Sequence, residues 1–370
     1  MPYQISIFEL GKKRNFSTNL PISNFAEGGG LNSRIGGKIQ LSHSYANIIS
    51  LENLCFAWQE FIIGKKKKID VIKFSRNLMD NIVELHEELV NRIYRHGGYE
   101  SFYVTDPKRR HIHKASVRDR LLHHAVYRIL YPFFDKTFIA DSYSCRDDKG
   151  MHKAINRFRN LAFCVGKNHT RTCWVLKCDI KKFFASINHK VLNNFLAAHI
   201  SDQYIIWLLK NIIASFHTIN QPDVGLPLGN LTSQLFANVY LNEFDHWAKH
   251  TLKSHYYVRY ADDFVLMSRD KYRLENAVPK IAKFLQSKLK LSLHPDKLFI
   301  STISSGVDFL GWVHFPRHRV LRIKTKERMF RNIRNSISEA GLTSYLGLIS
   351  HGNTVGLRKQ VIGEYWLWQG

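Results

Sequence analysis

Two short apolar segments enclose a pair of carboxylates in the second half of the chain. Residues 256–260 and 264–268 have the composition of buried strands, and Ala261, Asp262 and Asp263 join them. This pattern predicts a β-hairpin whose tip lies at the edge of a core. Adjacent carboxylates in such a setting repel each other, and the pKa of one rises unless a cation intervenes. A solvated turn is the alternative, because Asp is a common turn residue.

A third carboxylate lies at the end of another apolar segment. Residues 174–180 have the composition of a buried strand, and Asp179 is followed by the basic and aromatic stretch 181–184 (KKFF). Asp179 and Asp262 together would offer oxygen ligands to two hard divalent cations. Mg²⁺ prefers a few carboxylates plus substrate phosphates. Two such ions can activate an attacking hydroxyl group and stabilise a leaving pyrophosphate.

Charge indicates the class of partner. The 370 residues include 54 Lys and Arg against 30 Asp and Glu, a formal net charge of +24. Such an excess predicts a polyanionic partner, either nucleic acid or an anionic membrane surface. A hydrophobic fraction of 45% excludes global disorder. The sequence contains no long uncharged apolar run, so no membrane-spanning helix is expected.

Cysteine usage and the N-terminus bear on the compartment. Five cysteines without a CxxC pair suit a reducing cytosol and argue against a disulfide framework or structural zinc. The first residues lack a continuous apolar stretch before a cleavage site, so no secretory signal peptide is expected. We therefore expect a cytoplasmic protein.

Periodicity predicts the element order. Helices are expected at 74–94, at 120–134 (broken at Pro132), at 189–200, at 231–252 and at 272–290, with a basic helical tail at 325–370. Hairpins are expected around the basic turn 106–110 and at 309–315 with 320–324. This order predicts an α+β fold, with helices packed on one face of an antiparallel sheet. Residues 1–50 are expected to form a loosely structured extension.

Seven segments resemble, in order and spacing, the motifs of reverse transcriptases. The palm motifs are matched by 179–187 (DIKKFFASI), 225–234 (GLPLGNLTSQ), 260–263 (YADD) and 293–297 (LHPDK). The fingers motifs are matched by 107–112 (PKRRHI) with 118–120 (RDR), and by 141–150 (DSYSCRDDKG). The primer grip is matched by 309–312 (FLGW). The resemblance implies a right-hand polymerase with an extension at 1–50, fingers at 51–170, palm at 171–315 and thumb at 316–370.

The resemblance also implies roles for individual residues. Asp179, Asp262 and Asp263 would be catalytic and, with the carbonyl of Ile180, would bind two Mg²⁺ ions, for which Mn²⁺ could substitute. Phe184 would be the gate that excludes a 2′-hydroxyl, and Arg110 and Lys108 would clamp the triphosphate. Lys297 would donate a proton to pyrophosphate. Contacts to template and primer are implied for a further group: Arg146, Gln234, Leu310, Gly311, Trp312, Lys324, Lys326 and Arg331.

Ordinary structural roles remain open for several of these side chains. Phe184 could be core packing, Arg110 and Lys108 a solvated basic turn, and Lys297 a solvated lysine. A surface salt bridge explains Arg146 equally well.

One departure from most reverse transcriptases concerns the nucleotide-covering turn. Where relatives carry Gln-Gly and later Ser-Pro, this chain has Leu228-Gly229 and Ser233-Gln234. This pattern is similar to the enzymes of diversity-generating retroelements. They copy a template RNA with errors mainly at adenines, rewrite a variable gene through the mutated cDNA, and use a small basic accessory protein. Leu228 cannot hydrogen-bond the nucleotide sugar as Gln would, although it could simply pack better here.

The expected function is therefore RNA-directed DNA polymerisation, a nucleotidyl transfer, with template RNA, a primer or cDNA strand and dNTPs as partners and no membrane. A prokaryotic or phage-encoded enzyme is expected. The alternatives are a reverse transcriptase of an antiphage defence system or of a group II intron. A non-catalytic RNA-binding protein is the alternative from a different class.

Overall fold

The structure, a computed structural model, describes residues 34–35, 38–105, 109–335 and 338–369. The first half is mainly helical. Its elements are β1 (Arg34–Ile35), β2 (Lys38–Ile39), α1 (Tyr45–Ile49), α2 (Leu51–Phe61), α3 (Ile69–Arg76), α4 (Leu78–Val90), β3 (Tyr99–Val104), β4 (Arg110–Ala115), α5 (Val117–Asp135) and α6 (Met151–Val165).

Strands and helices alternate in the following segment. Its elements are β5 (Trp174–Asp179), α7 (Phe183–Ser186), α8 (His189–Ala197), α9 (Gln203–Ala214), α10 (Leu231–His246), β6 (Tyr257–Tyr260), β7 (Asp263–Ser268), α11 (Lys271–Glu275), α12 (Ala277–Leu289) and β8 (Phe299–Thr302). The remainder comprises β9 (Val307–Phe309), β10 (Trp312–His314), β11 (Arg319–Leu321), α13 (Ile323–Arg334), α14 (Glu339–Ile349) and α15 (Val355–Gln369). The predicted α+β class is confirmed.

A four-stranded antiparallel sheet, the central sheet, has the order β6-β7-β5-β8. Successive side chains of its strands point to opposite faces. Leu176 and Leu266 lie in the core that includes α10 and α12, as the sequence predicts for one face. Val175 and Val265 lie in a second core with α6 and β9 to β11. Both faces of the central sheet are therefore buried.

The helix predicted at 74–94 is two helices. The helix is interrupted at Asn77, which has φ −120° and ψ 47°. The side-chain amide of Asn81 donates to the backbone carbonyl of Phe74 at 2.9 Å. Asn side chains compete with the helix for backbone groups, which explains the break. Conversely, α5 continues through Pro132, where the prediction placed a break. Tertiary packing of the buried residues on both sides of Pro132 offsets the missing hydrogen bond.

The strand predicted at 309–315 is also divided. Leu310 and Gly311, at φ 52° and 82°, form a two-residue turn between β9 and β10. Both central residues have positive φ, as the tight turns that suit the twist of a hairpin require. The result is a three-stranded sheet, β11-β10-β9, rather than a single hairpin.

The C-terminal helices are anchored on Trp312, which is fully buried. A Cβ atom at Gly352 would lie 2.1 Å from the Trp312 ring, so only glycine allows this close approach. At the other end of the chain, α1 buries Tyr45, Ile48 and Ile49 in the main core. The described part of the predicted loose extension is thus packed, whereas residues 1–33 and 36–37 lie outside the described residues.

None of the described helices has the length and apolar composition required to cross a bilayer.

Candidate active site

Three carboxylates meet where the strands of the central sheet end. Asp179 closes β5 and pairs in register with Asp263, the first residue of β7. Tyr260 pairs with the same Asp263, so only Ala261 and Asp262 form the turn. Ala261 has φ 54°, a left-handed conformation that is uncommon for a residue with a Cβ atom. The hairpin predicted from the sequence is confirmed, and backbone strain of this kind is typical of functional sites.

The three carboxylates influence one another electrostatically. Burial, followed by the charges of Asp263 and Asp179, raises the pKa of Asp262 to about 7. Lys297 opposes this effect. A divalent cation would remove the repulsion, because it favours the ionised form of each carboxylate.

Lys297 lies beside the first of these carboxylates. Its Nζ donates to Asp179 Oδ1 at 2.8 Å, although the two residues are 118 positions apart. The backbone brings them together, because the amide of His294 donates to the carbonyl of Asp179 at 2.8 Å and that of Lys181 to Ser292 at 2.9 Å. The predicted lysine is therefore in the site, where it neutralises a carboxylate.

The donor set fits hard divalent cations. Asp179, Asp262 and Asp263 offer carboxylate oxygens, and Ile180 lies next to Asp179. Among the described residues, no group of three or more His, Cys, Asp or Glu side chains is positioned to hold a metal ion. An open arrangement of few carboxylates is what Mg²⁺ uses when substrate phosphates and water complete its shell.

A buried ion pair holds the carboxylate turn in place. Arg259 is completely buried in the apolar strand β6, and its guanidinium binds both carboxylate oxygens of Asp245 at 2.6 and 2.7 Å. The same guanidinium donates to the carbonyl of Ala261 at 3.1 Å and to the hydroxyl of Ser142 at 2.9 Å. Tyr257 donates its hydroxyl to Asp245 at 2.6 Å. These contacts tie the turn to α10 and to the segment before α6.

Sequence reasoning missed this pair. The available indication was a charged residue, Arg259, inside an otherwise apolar strand, which implies a buried partner of opposite charge. Its partner Asp245 is 14 positions away on a different element, and no local pattern connects them.

The β3–β4 hairpin faces the site. Burial lowers the pKa of Arg110, and the nearby charge of Asp262 acts in the opposite direction. Ile112, on the same face of β4, packs over the loop before α10. A Cβ atom added to Gly229 in that loop would lie 3.0 Å from Cγ2 of Ile112. The amide of His113 donates to the carbonyl of Leu228 at 3.0 Å. Leu228 and Gly229 thus lie against β4, the strand that begins with Arg110, and Lys108 lies outside the described residues.

A small concavity adjoins the carboxylate turn. Phe184, Gln234 and Ala261 line it together with Ser144 and Cys145. Phe184 is half-buried rather than fully packed, so its ring borders open space. The structure therefore places the predicted gate and Gln234 beside the turn that carries Asp262.

Arg146 differs from the other predicted contacts. Its side chain is 5% exposed, and it donates to the carboxylate of Asp135 at 2.6 Å and to the carbonyls of Ile139 and Ser142 at 2.7 and 3.0 Å. The guanidinium is thus engaged within the chain. These contacts favour the ion-pair alternative over a template contact.

The remaining predicted contacts divide into exposed and buried groups. Leu310 and Gly311 form a partly exposed turn, but the ring of Trp312 is buried behind it and has no free surface. Lys324, Lys326 and Arg331 are exposed on α13, whose opposite side buries Met329, Phe330 and Ile333. A nucleic acid could reach this basic face and not Trp312.

Similarity to known proteins extends over about two thirds of the chain. Protein YkfC of Escherichia coli (strain K12) is 26% identical over 281 residues, which are 65% of this chain and 71% of that protein. The group II intron-encoded protein LtrA of Lactococcus lactis subsp. cremoris is 21% identical over 316 residues, 64% of this chain and 52% of that protein. A structure of telomerase from Candida albicans with a fragment of telomeric RNA aligns with a TM-score of 0.46 and 12% identity, over 68% of this chain and 54% of that one.

A family match covers more than half of the chain. Residues 105–314, which contain the three carboxylates, Arg110, Phe184 and Lys297, match the family described as reverse transcriptase (RNA-dependent DNA polymerase). The chain therefore belongs to the reverse transcriptase family of RNA-dependent DNA polymerases.

Proposed function

We propose that this chain copies a template RNA into DNA by extending a primer with dNTPs at Asp179, Asp262 and Asp263. The observation that carries the proposal is the convergence of three carboxylates at one end of the central sheet, below a hairpin that brings Arg110 towards Asp262. Two Mg²⁺ ions, or Mn²⁺ in their place, would activate the primer hydroxyl and stabilise the leaving pyrophosphate. Metal-dependent primer extension on an RNA template tests this part of the proposal.

The chain's own residues would position the substrates. Asp179 and Asp262, with assistance from Asp263 and the carbonyl of Ile180, would hold the cations. Arg110 would bind the triphosphate with its planar guanidinium. Lys297, whose Nζ lies 2.8 Å from Asp179 Oδ1, would donate a proton to the departing pyrophosphate. The exposed basic face of α13 would lie along the phosphate backbone of the duplex.

The right-hand polymerase fold agrees with the family, and we propose its division into parts. Residues 51–170 would be the fingers, 171–315 the palm and 316–370 the thumb. The described part of the segment 1–50 would extend the fingers, because α1 contacts α2, α4 and α5.

We further propose that the enzyme is of the diversity-generating type. The support is the pair Leu228-Gly229 with Ser233-Gln234. The carbonyl of Leu228 accepts from the amide of His113 on β4, and Gln234 lines the concavity beside Ala261. In this role it would misincorporate at template adenines, rewrite a variable gene and work with a small basic accessory protein. Intron mobility is a second candidate, because one relative is named a group II intron-encoded protein. DNA flanking the gene would separate these roles, since a near-identical repeat pair differing at adenines marks diversification.

The proposed role of Phe184 as the gate that excludes a 2′-hydroxyl leads to one prediction. Phe184→Ala opens the half-buried concavity beside Ala261, so a 2′-hydroxyl would fit. We expect ribonucleotide incorporation, relative to deoxyribonucleotide, to rise by about tenfold or more, the scale on which pocket shape discriminates substrates. Competition assays with paired rNTP and dNTP measure the ratio, and Phe184→Tyr is the matched control that keeps the ring. An unchanged ratio in Phe184→Ala would assign Phe184 to core packing.

The turn expected to cover the nucleotide, which contains Leu228, leads to a second prediction. Leu228→Gln restores a group that can hydrogen-bond the nucleotide sugar, an interaction worth about 0.5–1.5 kcal/mol, or about two- to tenfold in rate. We expect misincorporation to fall by such a factor opposite template adenine and to fall less opposite the other bases. Sequencing of cDNA made on one RNA gives the error spectrum, with Leu228→Met as the apolar control. Coinciding spectra for Leu228→Gln and wild type would remove Leu228 from the determinants of fidelity.

A further inference from the structure

A second concave site lies between α6 and the three-stranded sheet. Its polar lining comes from Arg159 on α6, His169 in the loop after α6, His314 on β10, and His318 and Arg319 at the β10–β11 connection. No Asp or Glu is among its lining residues in the described part of the chain. We call it the basic pocket.

The basic pocket is remote from the carboxylates. Ile303 also lines it, and the amide of Ile303 donates at 2.9 Å to the carbonyl of Cys173, immediately before β5. Asp179 is at the other end of β5. A strand of this length separates the two places by roughly 20 Å. The pocket therefore cannot contact the nucleotide being incorporated.

Like charges converge there. Burial, with the charges of Arg319 and Arg159, lowers the pKa of His314 to about 4. Burial lowers the pKa of Arg319 and of His169, and the charge of Arg159 acts in the same direction on both. Cations brought together in a partly buried place repel each other unless an anion lies between them.

Part of this cluster is free to bind a ligand. Arg319 is fixed, because it donates to the side chain of Asn156 at 3.0 Å and to the carbonyl of His351. Arg159 is exposed and forms no hydrogen bond or ion pair within the described part of the chain. The Nδ1 atom of His169 is buried and has no hydrogen-bond partner among the described residues. A ligand with acceptor oxygens would give the guanidinium of Arg159 a partner.

The loop that carries His169 is strained. Lys167, Asn168 and His169 have φ of 43°, 58° and 64°, three consecutive left-handed residues with side chains. L-residues rarely adopt this conformation in succession. The amide of Arg171 closes the loop on the carbonyl of Gly166 at 2.8 Å. Strain held in place by its surroundings marks candidate functional sites.

We propose that the basic pocket binds a backbone phosphate of RNA outside the catalytic centre. A phosphate offers a negative charge and acceptor oxygens to Arg159, in a pocket lined by Arg319 and three histidines. Two exposed cations extend the positive surface: Arg317 lies between the lining residues Pro316 and His318, and Lys167 lies two positions before His169. The inference rests on the proposed function, since it requires a chain that holds RNA. Free inorganic phosphate has the same chemistry and is distinguished in the experiment.

The test is the RNA affinity of the double variant Arg159→Gln/Arg317→Gln. Binding is measured over a salt series with two RNAs, one long enough to reach the basic pocket from the catalytic site and one of a few nucleotides. We expect a several-fold loss of affinity for the long RNA and a salt slope shallower by about 0.7 for each lost contact to a single strand. Affinity for the short RNA should match wild type. The charge-matched control is Lys73→Gln/Arg76→Gln, exposed on α3.

Each other outcome overturns the inference. Equal long-RNA affinity and salt slope in the double variant and wild type would reject the pocket as an RNA contact. Equal losses in the double variant and the control would reduce it to general surface charge. If inorganic phosphate, at constant ionic strength, raises the melting temperature of wild type alone while RNA affinity is unchanged, the ligand is a free anion. A wild-type protein that binds no RNA would instead reject the proposed function.

Discussion

Purified Asp262→Asn is expected to lose nucleotide incorporation while keeping its affinity for RNA. The substitution keeps the size of the side chain and removes a charge from the three-carboxylate cluster, so the cations are held more weakly. Loss of one electrostatic group at a transition state costs about 10²–10³-fold in rate, and we expect at least that here. RNA affinity should hold, because phosphate contacts come from the basic surface. Primer extension and filter binding measure the two properties.

Asp296→Asn is the matched control for this experiment. The Asp296 carboxylate is 86% exposed and lies one residue before Lys297, so the same chemical change is made close to the site but outside the cluster. We expect it to retain the wild-type rate. Polymerisation by Asp262→Asn at the rate of Asp296→Asn would show that Asp262 does not hold a catalytic cation.

The second large effect concerns the buried pair of Arg259 and Asp245. Asp245→Asn or Arg259→Met leaves one charge buried without its partner. Removing one member of such a pair costs about 3–5 kcal/mol. We expect a fall of that size in the free energy of unfolding, measured by urea denaturation. Polymerisation should also fall, because Arg259 donates to the carbonyl of Ala261 in the carboxylate turn.

An exposed ion pair gives the comparison. Lys271 and Glu275 lie 3.0 Å apart on α11 with side chains 45% and 40% exposed. Lys271→Met should change stability by less than about 0.5 kcal/mol, because solvent screens the pair. If Asp245→Asn were as stable as Lys271→Met, the pair would not hold the turn, and the position of Asp262 would need another explanation.

Local pattern was sufficient to predict the carboxylate hairpin. Burial on both sides of Ala261 and Asp262 follows from alternation within a few residues, and alternation is a property of the sequence itself. The register of Asp179 with Asp263 is different, because pairing between distant strands depends on the whole sheet. The proximity of Asp179 to Asp262 and Asp263 was predicted from the resemblance to the reverse transcriptase motifs.

The burial of individual side chains at motif positions was not predictable in the same way. Arg146 and Trp312 occupy motif positions, yet one is engaged by Asp135 and the other is covered near Gly352. Both outcomes depend on contacts between elements that are far apart in sequence. The break at Asn77 and the continuation through Pro132 show the same limit for helices, since tertiary packing overrides propensity.

The most direct test of the central claim is primer extension by the purified wild-type chain. An RNA template with an annealed DNA primer and dNTPs is incubated with Mg²⁺, with Mn²⁺, and with a chelator. The account predicts extension that depends on the divalent cation, stops with the chelator and is absent in Asp262→Asn. Tight RNA binding without extension under either cation would contradict it, and the chain would then be an RNA-binding protein that has kept the fold of a polymerase.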